Sequence, residues 1–458
     1  MAATKGPGRR AATARADEPA TGRGGPGSRL AAAGGGPEAA PARPGRSPSR
    51  CGAGREGVRR RGTARRRSGT LLLLAAALGL AIVLATGLGA VAVPPAEVVR
   101  VLIRGAAGLV TGAGDGEASP AARILLDIRL PRVLLAGLVG ASLAAAGSAF
   151  QTLFRNPMAD PYVLGVSSGG ALGAAVAYLV LAIAPGLTGG GGAAAGSATG
   201  ASAAAGAAGA AAGTAGAGEL AAWAVAGARV LAGILGYGLV PAFAFAGALG
   251  AVVAVGRLAR VGGRLAVGTL LLAGVAVASL LGAVVSLLVY LSGERLRPIV
   301  FWLLGGLSGA GWRDVGVVAL AAGVGLSVLA AQARALNALW LGEEAAHHLG
   351  IDVEAVKRRL LVAGSLLAAT AVSVSGIIGF VGLIVPHAVR MLVGADHRRL
   401  LPGAVLAGAT VMIACDTVAR VVLAPAELPV GVITALAGAP WFLWLLRRNA
   451  GGHDPWTG

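Results

Sequence analysis

A chain of 458 residues with 56% hydrophobic and only 13% charged side chains, at a mean hydropathy of +0.76, lacks the polar residues to cover a soluble globule. The formal charge is +19, but residues 1–68 hold 16 Lys/Arg against 4 Asp/Glu, so most of the excess sits in one tail. Composition therefore excludes a soluble enzyme, and the 76 glycines, which show no three-residue period, exclude a collagen-like chain.

Residues 1–68 are Gly, Pro, Ala, Ser and Arg with almost no large apolar side chain, so they read as a disordered Arg-rich tail. No aromatics interleave with its arginines for stacking on bases, so no nucleic-acid partner is expected. Leu71–Val93 follows, an apolar run of 23 residues, longer than a signal-peptide core and long enough to span a bilayer. Ten spans are expected, at 70–93, 131–151, 164–184, 238–256, 265–291, 314–333, 359–378, 380–393, 401–421 and 429–446. The eighth is too short to cross upright and is expected to pack inside the protein. This is an all-α polytopic membrane protein of the cell (inner or plasma) membrane. An even number of spans and the basic tail put both termini in the cytoplasm. The transmembrane domain runs over 69–450, with a short tail at 451–458. Within it, 187–237 is a Gly/Ala-rich extracytoplasmic insertion, whose part 219–237 reads as an interfacial helix. Gly165, Gly169 and Gly173, and the pair Gly140 and Gly147, predict close helix–helix approach.

Motifs for covalent chemistry are missing. There is no G-x-x-x-x-G-K-[ST] loop, so the chain is not its own ATPase. No H-E-x-x-H or C-x-x-C occurs, and Cys51 and Cys415 are isolated. No catalytic residue, cofactor ligand or metal ligand is assigned. Acids near the spans are few, namely Asp160, Asp416 and Glu427, and Asp416 stands four residues before Arg420, a spacing that predicts a local ion pair. The polar island at 334–359 reads as a cytoplasmic coupling segment. In it, Gly342-Glu343-Glu344-Ala345-Ala346-His347-His348-Leu349-Gly350 predicts a short helix with acids at its start and histidines at its end. Gly350 is placed to end that helix in the left-handed conformation.

Ordered motifs carry a resemblance. They are Arg129-Leu130-Pro131-Arg132, Gln151-Thr152-Leu153-Phe154-Arg155-Asn156-Pro157-Met158-Ala159-Asp160-Pro161, Phe301-Trp302-Leu303-Leu304-Gly305-Gly306, Gly379-Phe380-Val381-Gly382-Leu383-Ile384-Val385-Pro386-His387, Asp416-Thr417-Val418-Ala419-Arg420 and Glu427-Leu428-Pro429-Val430-Gly431. Over residues 70–450 the chain resembles the FecCD family of ABC importer permeases for ferric siderophores, haem and cobalamin. The resemblance implies a type II importer permease fold working as a homodimer. Two cytoplasmic ATPase subunits would bind the ATP, and an extracytoplasmic binding protein would deliver an iron chelate. It implies that Gly342–Gly350 is the helix that meets the ATPase, and that Arg129, Arg132 and Arg420 dock glutamates of the binding protein from an exposed polar rim. By the same analogy the fifth span lines the pore. Pro157, Pro161, Pro386 and Pro429 are expected to interrupt helices near the pathway. A zinc or manganese ABC permease is the alternative, and an ion-coupled secondary transporter a further one.

Overall fold

The computed structural model describes residues 52–89, 93–111, 120–183, 238–262, 264–293 and 296–450. The expectations for residues 1–51 of the tail, for 187–237 and for 451–458 lie outside them, while the expectation of disorder over 52–68 is corrected, because the helix that carries the first span already begins at Gly52. The packing below belongs to one compact unit, Val58–Gly458. In chain order its helices are α1 (Gly52–Gly87), α2 (Pro95–Thr111), α3 (Pro120–Arg123), α4 (Leu130–Leu153), α5 (Val166–Ile183), α6 (Leu239–Leu258), α7 (Val267–Leu291) and α8 (Leu296–Leu303). Then come α9 (Trp312–Ala331), α10 (Ala333–Leu341), α11 (Glu343–His348), α12 (Val353–Ser375), α13 (Val381–Val393), α14 (His397–Val421) and α15 (Val430–Ala450). Among the described residues the one sheet is a minimal hairpin, β1 (Arg260–Val261) antiparallel to β2 (Arg264–Leu265), directly before α7.

Eight helical stretches among the described residues are long and apolar enough to cross a membrane: Gly69–Gly87, Ile124–Leu153, Leu239–Leu258, Val267–Leu291, Trp312–Ala331, Val353–Ser375, His397–Val421 and Val430–Arg447. Two shorter apolar helices, Val166–Leu181 and Val381–Val393, fall where the third and eighth spans were expected. The second span differs from expectation at its start. Helix runs back from α4 through a π-helical stretch, Ile124–Arg129, to α3, so Arg129 and Arg132 sit within one continuous helical rod.

α4 is the axis of the bundle, with 89% of its apolar window buried. It achieves this with small residues. A Cβ on Gly140 would run into the Gly408 carbonyl of α14, one on Gly147 into the Gly382 carbonyl of α13, and one on Gly169 of α5 into the Gly247 carbonyl of α6. These are the backbone-to-backbone approaches that a small-residue face permits. Two apolar clusters fill the interior. Phe150, Leu164, Leu336, Leu360 and Leu367 belong to one, and Val133, Leu135, Leu143, Leu307 and Met412 to the other.

The short helix α13 packs inward as expected, with Val385, Pro386, Val389 and Val393 buried. It is entered through an irregular stretch in which Gly376 and Phe380 take left-handed φ of 67° and 69°. Irregular backbone inside a membrane domain needs partners. The Tyr162 hydroxyl supplies two, donating to Ile378 O at 2.9 Å and accepting from Ile378 N at 3.2 Å. Of the four prolines, Pro157 lies in the turn after α4, Pro161 opens a 3-10 turn (Pro161–Leu164) and Pro429 directly precedes α15. Pro386 corrects the expectation, because α13 continues through it. The carbonyl that loses its helical donor belongs to Gly382, and Gly147 lies directly against it.

Candidate functional sites at the two ends of the bundle

The predicted Glu343–Gly350 helix forms. α11 starts at Glu343, and Gly342 before it has φ 133°, a conformation that favours glycine and turns the chain sharply out of α10. Gly350 has φ 77°, and Ile351 N donates to Ala346 O at 3.1 Å while Gly350 N donates to His347 O at 2.9 Å. That is the left-handed helix end expected of Gly350. Glu343, Glu344, His347, His348, Leu349 and Gly350 are exposed, Ala346 is buried as the anchor and Ala345 is half-buried. Glu343, Glu344, His347, Arg264, Asp352 and Glu354 line a groove of about 590 Å³ beside α11.

Beneath that groove is a group the sequence reading had counted only as a cytoplasmic charge. Lys357 of α12 is 3% exposed. Its ammonium donates to Glu343 Oε2 at 2.7 Å, to Glu354 Oε1 at 3.2 Å and to Leu265 O at 3.3 Å. Glu354 Oε2 in turn accepts from Leu265 N at 2.9 Å.

A second polar network at this end ties α10 to α4 and α14. Asn337 Oδ1 accepts from His397 N at 2.8 Å, and its Nδ2 donates to Asp396 Oδ1 at 2.7 Å. His397 Nε2 stands 2.7 Å from Thr152 Oγ1, and its Nδ1 2.8 Å from Asn337 Oδ1. Arg390 donates to Gln151 Oε1 at 3.3 Å and lies over the Trp340 ring at 4.3 Å from its centroid. Desolvation pushes the Asp396 carboxyl up, yet its bonds from Asn337 and Arg398 N and the nearby arginine charges win and hold it below the usual range. In the loop between α4 and α5, burial pushes Asp160 up to about 6, although Tyr162 N donates to it.

The opposite end holds the three arginines expected on an exposed rim. They are turned inward instead. Arg132 donates through Nε and NH2 to Asp416 Oδ1 at 3.1 and 3.0 Å, and through NH1 to Glu427 Oε1 and Oε2 at 2.9 and 3.0 Å. Arg420 pairs with Asp416 Oδ2 at 3.0 Å, the i,i+4 pair that the spacing predicts, and donates to Ala85 O and Leu88 O. Arg129 donates to Thr86 O at 3.2 Å and Gly87 O at 3.1 Å. The reason is local: the last carbonyls of α1 have no partner within their own helix, and guanidinium donors complete them. Arg129, Arg132 and Asp416 are all buried. A cavity of about 440 Å³ opens beside this clamp, lined by Arg132, Tyr178, Trp302, Asp314, Glu427 and Pro429, among others.

Among the described residues, a bundle of eight long and two shorter apolar helices, with the helix pair α10 and α11 between spans at one end, can be compared with known proteins. The FecCD transport family model matches residues 75–215 and 210–448. The chain belongs to the FecCD family. It is 45% identical over 324 residues, 71% of this chain and 73% of the relative, to the cobalamin import system permease protein BtuC of Halobacterium salinarum. It is 41% identical over 329 residues, 71% of this chain and 84% of the relative, to the hemin transport system permease protein HmuU of Yersinia pestis. A metal-chelate type ABC transporter solved in an inward-facing conformation superposes with a TM-score of 0.60 at 28% identity, over 83% of this chain and 99% of that one. The chain is thus a multi-pass membrane permease component of an ABC importer.

Proposed function

We propose that this FecCD permease moves a bulky metal chelate, most specifically a ferric siderophore, through a pore between two copies of itself. Both termini face the cytoplasm, where two separate ATPase subunits hydrolyse ATP and dock at Gly342–Gly350. The observation that carries this is α11, a short helix turned out of α10 at Gly342 and anchored by the buried Ala346, with Glu343, Glu344, His347 and His348 presented to solvent. α7 suits the pore-side or copy-side face, because only 11% of its apolar window is buried within one chain, and Leu272, Leu280 and Leu287 are exposed. At the other end the binding protein docks over the Arg129, Arg132 and Arg420 clamp. The role of these arginines there is to fix the rim that the binding protein meets.

A second substrate reading has specific support: relatives at 45% and 41% identity are named for cobalamin and hemin. Proteoliposomes holding the permease, its ATPase and its binding protein should take up radiolabelled ferric siderophore when ATP is supplied. Uptake of cobalamin or haem in its place selects the second reading. ATP-dependent uptake of bare zinc or manganese, or uptake driven by an ion gradient without ATP, overturns the proposal.

A further inference from the structure

A buried charge is tolerated only when its partners are in place. Lys357 has three ammonium protons and spends each on a different acceptor: the first residue of α11, its own helix α12, and the backbone of the β2 strand. Leu265 is held from both sides, its N–H by Glu354 and its carbonyl by Lys357. Two residues later α7 begins. Glu343 and Glu354 stay partly open to solvent, at 45% and 34% side-chain exposure. Lys357 itself hydrogen-bonds both α11 and the hairpin. α11 is six residues long and reaches α12 through a turn, so without the lysine its start would be free to move independently of the hairpin.

We propose that Lys357 is a positioning residue that ties α11 to the β1–β2 hairpin, so that a displacement of α11 is delivered to the start of α7. This rests on the reading of α11 as the ATPase-docking helix. The ammonium is suited to it. Its flexible stem and point charge hold three acceptors while they shift, where a guanidinium fork would fix one geometry.

The test uses the full transporter, with Cys51 and Cys415 replaced by serine. One environment-sensitive fluorophore is placed at Glu344→Cys on α11 and, in a parallel preparation, at Arg260→Cys on the hairpin; both positions are exposed. With Lys357 intact, both labels respond to ATP. In Lys357→Met, which keeps the stem and removes the charge, the label on α11 still responds and the hairpin label falls silent. Transport per ATP hydrolysed drops on the order of tenfold, the scale of a coupling free energy between sites. If Lys357→Met does not fold, Glu354→Gln loosens the same joint while keeping an acceptor for Leu265 N, and the same split between labels is expected. A hairpin label that responds equally with and without Lys357, in a folded transporter, overturns the inference. An α11 label that is silent with Lys357 intact overturns the docking reading instead, and is distinguishable on that ground.

Discussion

The two ends of the bundle solve the same problem differently. At each, one buried cation sits between two carboxylates: Arg132 between Asp416 and Glu427, and Lys357 between Glu343 and Glu354. At the arginine end, Asp416 is 1% exposed and also paired with Arg420, and guanidinium forks cap the last turn of α1. At the lysine end both carboxylates are partly solvated, and the acceptors come from segments only a few residues long. The first arrangement locks three helices together. The second joins small parts that can move. Glu427 is as open to solvent as the carboxylates at the lysine end, at 42%, so the difference rests on Asp416: a clamp has one partner fully buried and shared with a second cation, and a joint has none.

Arg132→Ala should break the clamp most severely. It takes from the buried Asp416 one of its two arginines and from Glu427, 42% exposed, its ion pair, and with Arg420 still on Asp416 the cost falls at the lower end of the about 3–5 kcal/mol for breaking a buried pair. Thermal unfolding in detergent should show a large drop in midpoint, whereas loss of binding-protein affinity with an unchanged midpoint would restore the exposed-rim picture. Gly140→Leu attacks the same rigid axis from within the bundle. The obstacle is the Gly408 backbone, which has no rotamer to yield, so the cost should reach the upper end of the overpacking range, about 3 kcal/mol. Equal stability of this variant would mean that α4 and α14 can separate.

Glu343→Gln probes the joint and should invert the pattern. The Glu343 carboxylate is nearly half solvated and the buried Lys357 keeps Glu354 and Leu265 O, so stability should change by less than about 1 kcal/mol, while transport per ATP falls. A stability loss comparable to that of Arg132→Ala would make the joint a second clamp. The last effect is a pH slope at Asp160. Its folded value of about 6 exceeds the ordinary 3.8, so the folded state holds the extra proton between these values. Stability from this group is therefore full at low pH and is lost as pH rises through 6. Asp160→Asn keeps an acceptor for Tyr162 N and should flatten that slope in unfolding curves taken from pH 4 to 7.

Much of this was legible in the sequence because it is local. Helical periods, the Gly350 turn, the Asp416–Arg420 pair and the short inward helix α13 each depend on residues within one or two turns. What was not legible is what folding brings together from afar. Arg132 meets partners 284 and 295 residues away, and Lys357 reaches Leu265 across 92. The resemblance placed Arg129, Arg132 and Arg420 on an exposed rim, and nothing near them in the sequence spoke against it. A local reading cannot see the orphan carbonyls of α1 that draw Arg129 and Arg420 inward. Hydropathy had the same blind spot in α4 and α7, both apolar and similar in length, one almost wholly buried and one mostly uncovered. Pro386 was misjudged because α13 runs on through it, with the Gly382 carbonyl set against Gly147 of α4.

The joint also has an analytical consequence. Lys5 and Lys357 are the two lysines of the whole chain, and the other basic side chains beyond its histidines are arginines. Among the described residues an amine-selective reagent therefore has Lys357 as its lysine target, and that target is shielded as long as its three hydrogen bonds hold. Isotope-coded acylation read by mass spectrometry can time the opening of that contact during the transport cycle, with no residue introduced and none removed.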